Sequence, residues 1–133
     1  MSIERIQPPT LHVPTAYSHV VKVTGGTQIL IAGQVPVNSA GEVVGKGDFA
    51  AQADQVFSNL TAALAAAGAD WSNVVKIVQY IPGYNAERHR PVLGAMRQKY
   101  LVSDQLPVST LLGIQALANP DFLIEVDAIA VVD

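Results

Sequence analysis

An α+β domain of two layers, a mixed sheet carrying two helices on one face, is the fold class this sequence predicts. Three observations point to it. The elements read in the order β-β-α-β-α-β-β over 133 residues, only two stretches carry a helical period, and hairpin signals open and close the chain. Strands that alternated strictly with helices would instead indicate a doubly wound parallel sheet. The length suits one domain spanning 1–133, with no linker or low-complexity tract to divide it.

Residues 1–16 carry Pro8, Pro9 and Pro14 and read as an extended N-terminal segment. The stretch "AYSHVVKVTGGTQILIAGQ" then predicts a hairpin, with strands over 18–24 and 27–32 and a Gly25-Gly26 turn that tolerates positive φ. Gly33, Pro36, Asn38 and Gly41 mark a loop. The next segment, "DFAAQADQVFSNLTAALAAAG", is the clearest helix. Asp48 is its N-cap and Gly68 its stop, and Phe49, Ala53, Val56, Phe57, Leu60 and Leu64 form one apolar stripe. Gln52, Asp54, Gln55, Ser58, Asn59 and Thr61 fall on its polar side.

"NVVKIVQYIP" is rich in β-branched residues and ends at a proline, as a strand would. A second helix is expected over 88–101, with Pro91 in its first turn and Val92, Met96 and Tyr100 on one face. "STLLGIQAL" and "FLIEVDAIAVV" read as strands joined by a turn at Ala118-Asn119-Pro120-Asp121. The helix-free face of the sheet is left for a sister subunit.

Composition narrows the function classes. Half of the residues are hydrophobic and 14% are charged, which is too little polar surface to clothe a small monomer. Self-association is therefore expected. The absence of cysteine excludes disulfides, thiolate metal sites and thiol nucleophiles. His12, His19 and His89 lack metal-site spacing and read as surface or hydrogen-bonded structural residues. No metal and no cofactor are expected. The net charge of −3, with basic residues dispersed apart from Arg88, Arg90, Arg97 and Lys99, gives no footprint for nucleic acid. Those four read as solvated helix charges, and Lys76 as a snorkelling strand lysine. The N-terminus lacks an apolar signal region and no run approaches a membrane span, so the expectation is a soluble cytoplasmic protein with no membrane partner.

The closing strand carries the chemical hint. Alternation puts Phe122, Ile124, Val126, Ala128, Ala130 and Val132 on one face and Leu123, Glu125, Asp127, Ile129 and Val131 on the other. Two carboxylates flanked by Leu123, Ile129 and Val131 make that face only partly wet, which suits either a satisfied structural glutamate or a carboxylate in a cleft. Such surroundings raise the pKa of Glu125 toward neutrality.

Taken together, "IAGQVPV", "AAAGADWSNVVKIVQYI", "LPVSTLLGIQALA" and "LIEVDAIAV" resemble, in order and spacing, the RidA (YjgF) family of enamine/imine deaminases, from about Tyr17 to Val132. The resemblance implies a chorismate-mutase-like fold, a homotrimer with three inter-subunit clefts, and hydrolysis of reactive enamines or imines to a 2-keto acid and ammonia. It implies Glu125 as the residue handling water and protons, with Tyr17 and Gly33 lining the pocket. Ala32 stands where the family has a serine. Ser109 stands where the family has the arginine that holds the substrate carboxylate, which implies altered specificity or lost catalysis. Ser109 and Thr110 are then candidate hydroxyl donors to the ligand, and Asp127 a partner that orients Glu125. Three alternatives stand beside hydrolysis. A non-catalytic trimer binding a small metabolite is favoured by the missing arginine. Ribonuclease activity fits an acidic chain poorly, and chorismate-mutase activity would need cations in the cleft that the sequence does not identify.

Overall fold

Strands Thr27–Gln34 (β3), Val74–Pro82 (β4), Val108–Ile114 (β5) and Glu125–Val132 (β6) build the main sheet in the computed structural model, which describes residues 1–133. Their spatial order is β3-β6-β4-β5, with β6 antiparallel to both neighbours and β4 parallel to β5. Helices Phe49–Ala66 (α1) and Ala86–Tyr100 (α2) cover one face, giving the expected two-layer α+β arrangement. A second, two-stranded sheet pairs Ser2–Ile6 (β1) with Val20–Thr24 (β2).

Both expected hairpins are corrected. Gly25 and Gly26 do take positive φ, 73° and 83°, but the turn joins two sheets and closes neither. β2 pairs with β1, a strand hidden in the segment read only as extended, while β3 pairs with β6. The turn before β6 also forms, with the Asp121 amide donating to Asn119 Oδ1 at 2.8 Å. Yet β5 and β6 are separated by β4. α2 carries the chain back parallel to β4, and the nearly continuous apolar β6 takes the central place suited to a strand covered on both faces. β6 starts at Glu125, so Phe122 and Leu123 precede it.

α1 follows its pattern closely. Asp48 caps it by accepting from the Ala51 amide, and Ala53, Val56, Phe57, Leu60 and Leu64 are buried. Burying each large apolar side chain contributes roughly 1.5–3 kcal/mol. The exception is Gln52, placed on the polar side by sequence and fully buried in the fold. Its amide donates to the Asp121 carbonyl at 2.9 Å and its carbonyl accepts from the Leu123 amide at 2.8 Å. The residue belongs inside because it fastens the segment leading into β6.

α2 begins two residues earlier than expected, capped by Asn85. Pro91 therefore lies beyond the first turn, where its missing N–H leaves the Glu87 carbonyl without its helical partner. His89, Leu93 and Met96 are its buried residues, whereas Val92 and Tyr100 are half-buried. His89 Nδ1 accepts from the Asn85 amide at 2.8 Å, and burial lowers its pKa. It is a structural histidine.

Candidate active site

Residue alternation on β4, β5 and β6 divides the candidate side chains between the two faces of the sheet. Glu125 is in register with Tyr80 and Asp127 with Val78, so all four face away from the helices. Thr110 pairs with Val78 and shares that face. Ser109 pairs with Ile77, a core residue, and looks toward the helices. Grouping Ser109 with Thr110 as donors to one ligand is thus corrected, since consecutive strand residues point in opposite directions.

Around Glu125 the packing is close. The register between β3 and β6 shifts between Ile31 and Gln34, and this irregularity brings Gly33 against the Glu125 side chain. A methyl group at Gly33 would overlap the carboxylate and lie 2.8 Å from Cδ and 3.0 Å from Cγ. Glycine is required here for space, so the carboxylate rests on bare backbone. Burial pushes the Glu125 carboxyl above the ordinary carboxylate range, and the Asp127 charge pushes it further. Asp127 accepts a hydrogen bond from the Tyr80 hydroxyl at 2.9 Å. A carboxyl so placed holds its proton to higher pH than a solvated one does.

Tyr17 and Ser109 meet elsewhere. The Ser18 amide donates to the Pro107 carbonyl at 3.0 Å, while Ser18 Oγ and Arg5 Nε donate to the Leu106 carbonyl at 2.6 and 3.2 Å. These bonds tie the N-terminal segment to the start of β5. They place Tyr17 and Ser109 on the wall of a cavity of about 850 Å³ between that segment, β4–β5 and α2. Ser109 Oγ accepts from Gln79 Nε2 at 3.1 Å, and the Tyr17 hydroxyl lies 3.1 Å from His12 Nε2.

Two arginines read as solvated helix charges also line this cavity: Arg90, which is exposed, and Arg97, which is half-buried. The other basic residues of the segment do not: Lys99 pairs with Asp54 at 2.7 Å, and Arg88 is exposed. Lys76 is exposed on the helix-free face. A signal was available in the sequence. Arg90, Leu93 and Arg97 recur at helical spacing, so two cations share a stripe with a core leucine. No group of His, Asp and Glu side chains assembles into a metal-binding cluster, and no helix is long and apolar enough to cross a membrane.

Comparison with known proteins fits this architecture. Residues 9–132 match the family described as Endoribonuclease L-PSP. A stretch of 65 residues is 40% identical to Protein DfrA of Myxococcus xanthus, covering 49% of this chain and half of that one. A RutC family protein of Pyrococcus abyssi is 34% identical over 117 residues, 86% of this chain and 84% of its own length. A protein of Dermatophagoides farinae named 2-iminobutanoate/2-iminopropanoate deaminase is 26% identical, covering 88% of this chain and 86% of that protein. The crystal structure of YyfB from Yersinia pestis, a conserved Rid protein of unknown function, superposes with a TM-score of 0.87 at 34% identity, covering 99% of this chain and all of that one. The chain belongs to the RidA/YjgF/L-PSP (Rid) family.

Proposed function

We propose that this protein hydrolyses reactive enamines or imines derived from amino acids, releasing a 2-keto acid and ammonia, with Glu125 as the proton-transferring residue. The observation that carries the reading is the Glu125 carboxyl, half-buried against Gly33 and held above the ordinary carboxylate range by burial and by Asp127. The distant relative named as an imine deaminase supports it. Protonated Glu125 delivers a proton to the enamine carbon, which gives the iminium ion. The resulting carboxylate takes a proton from water as its oxygen adds to the imine carbon. Glu125 then returns that proton to nitrogen and takes the hydroxyl proton as ammonia leaves and the carbonyl forms. One water is consumed for each ammonia released, and Glu125 ends protonated, as it began.

Within one chain the Gly33–Glu125 pair and the Tyr17–Ser109 cavity occupy opposite faces of the sheet. A complete site therefore calls for two copies, one presenting its Glu125 face to the cavity mouth of the next, in a homotrimer with three such clefts. The apolar side chains left exposed, Leu30 at 71% and Leu112 at 41%, support an assembly through the helix-free face.

Replacing Glu125 with Gln keeps the shape and removes the titration. Accelerated ammonia release from a freshly generated imine should fall by about 10²- to 10⁴-fold, the usual contribution of general acid–base catalysis. An unchanged rate would remove Glu125 from the reaction. A second reading, a trimer that binds a metabolite without turnover, is favoured by Ser109, whose uncharged hydroxyl is already engaged by Gln79. It predicts a ligand-induced rise in Tm with no ammonia from wild-type protein.

A further inference from the structure

The cavity between α2 and the β4–β5 edge holds two guanidinium groups with no acidic partner. Neither Arg90 nor Arg97 takes part in any of the three ion pairs of the chain, and neither side chain makes a hydrogen bond within it. They stand seven residues apart, almost two full turns, so both point the same way with roughly 10 Å of helix rise between them. Arg97 is half-buried, and its Nη2 lies 3.7 Å from the place a methyl group on Gly94 would occupy. Its guanidinium therefore folds back over the preceding turn toward Arg90, the direction helical side chains favour. Glu87 is the only acidic residue on the lining, and it is exposed and unpaired. The other polar groups there are neutral: Thr15, Tyr17, Gln79 and Ser109.

Two like charges on one helix stripe, Arg90 exposed and Arg97 half-buried, face one cavity without a counter-ion, so an anion bound there would relieve their repulsion. A single small carboxylate would satisfy one of them. A cavity of about 850 Å³ lies toward the upper end for small-molecule sites and far exceeds the needs of a three- or four-carbon acid. Arginine suits the task because its planar fork meets a carboxylate through two parallel hydrogen bonds.

We propose that Arg90 and Arg97, above the Ser109 hydroxyl and the Gln79 amide, bind the two carboxylates of a dicarboxylic 2-imino acid. This specificity rests on the deaminase reading above. The two guanidiniums supply from the helix the positive charge that Ser109 cannot, and they set their preference for a dianion by their spacing. Monocarboxylic imines engage one arginine and leave the other unpaired.

Calorimetric titration of the intact protein with glutarate and 2-oxoglutarate, against butanoate and 2-oxobutanoate, tests this without requiring turnover. The dicarboxylates should bind at least tenfold more tightly. Arg90→Gln and Arg97→Gln should each weaken dicarboxylate binding by about 10- to 100-fold, the loss expected of a charge-assisted pair, with little effect on monocarboxylates for at least one of the two. Arg88→Gln removes the same charge from the same helix outside the cavity and should leave affinity unchanged. Equal affinities for mono- and dicarboxylates, wild-type affinity in both cavity variants, or equal weakening by Arg88→Gln would overturn the proposal. Measuring ammonia release beside binding, in wild type and both arginine variants, separates the two readings. Retained arginine-dependent binding in a wild-type protein that releases no ammonia leaves the dianion site standing and removes the deaminase. Ammonia release that ignores chain length and both arginines does the reverse.

Discussion

Gly33→Ala provides a direct probe of the contact on which the Glu125 site is built. Gly33 does not occupy the left-handed region, so alanine suits the backbone. In open space the change would stabilise by about 0.4–1 kcal/mol through the unfolded chain. The added methyl instead meets the Glu125 carboxylate, with Cδ at 2.8 Å and Cγ at 3.0 Å, distances that side-chain carbons do not sustain. Relief requires Glu125 to leave its rotamer, at about 0.5–1.5 kcal/mol, or β3 to shift, at about 1–3 kcal/mol. Offset by the backbone gain, the net effect runs from about neutral, if Glu125 moves, to about 2.5 kcal/mol destabilising, if β3 must shift, the latter a fall in Tm of about 10 °C for a domain of this size. Glu125→Ala removes the colliding atoms. In that background Gly33→Ala should be neutral or stabilising, giving a coupling of about 1 kcal/mol or more between the sites. Denaturant melts of the four proteins at one protein concentration complete the cycle. Additive effects would show that Gly33 does not house the carboxylate, and the proposed origin of its raised pKa would go with it.

Three further outcomes follow from the same coordinates. Gln52→Leu leaves the Asp121 carbonyl and the Leu123 amide unpaired, so stability should drop by about 2–4 kcal/mol, and hydrogen exchange at Leu123 should quicken. His89 has a folded pKa below its unfolded value, so the unfolded chain takes up the proton first. Stability should be full above the ordinary histidine range and decline as pH falls below about 6.5, a slope that His89→Asn should flatten in melts across pH 5–8. Glu125 has the opposite sign. Its folded pKa is raised, so its contribution is complete at low pH and is lost as pH rises through the carboxylate range toward the folded value. Glu125→Gln should therefore gain stability relative to wild type at neutral pH while losing activity, and a neutral-pH Tm below wild type would contradict the assigned direction.

Local features of the fold were readable from residue order; partnerships between distant strands were not. The α1 stripe, its Asp48 cap and the alternation of β6 all depend on neighbours within a few positions, and each stands in the structure. The two glycines at 25 and 26 signal a turn equally well whether the flanking strands pair with each other or with strands a hundred residues away, so the hairpin reading failed there. Gln52 looked polar because its two partners arrive from residues 121 and 123. The arginines of α2 looked solvated because the wall they face is built by Thr15–Tyr17 and β5. Glu125 stood out from composition alone as a carboxylate on a greasy strand, whereas the reason for Gly33 emerges only once β3 lies beside β6.

The strand that comes last in chain order among the four sits inside the layer, between β3 and β4. As a ribosome releases this chain, β3 and β4 wait with bare edges until residues 125–132 emerge to bridge them. Nascent chains in that interval resemble sticky half-sheets and invite chaperones or misassociation. Deleting the same eight residues would split the sheet, so a variant lacking them should be insoluble.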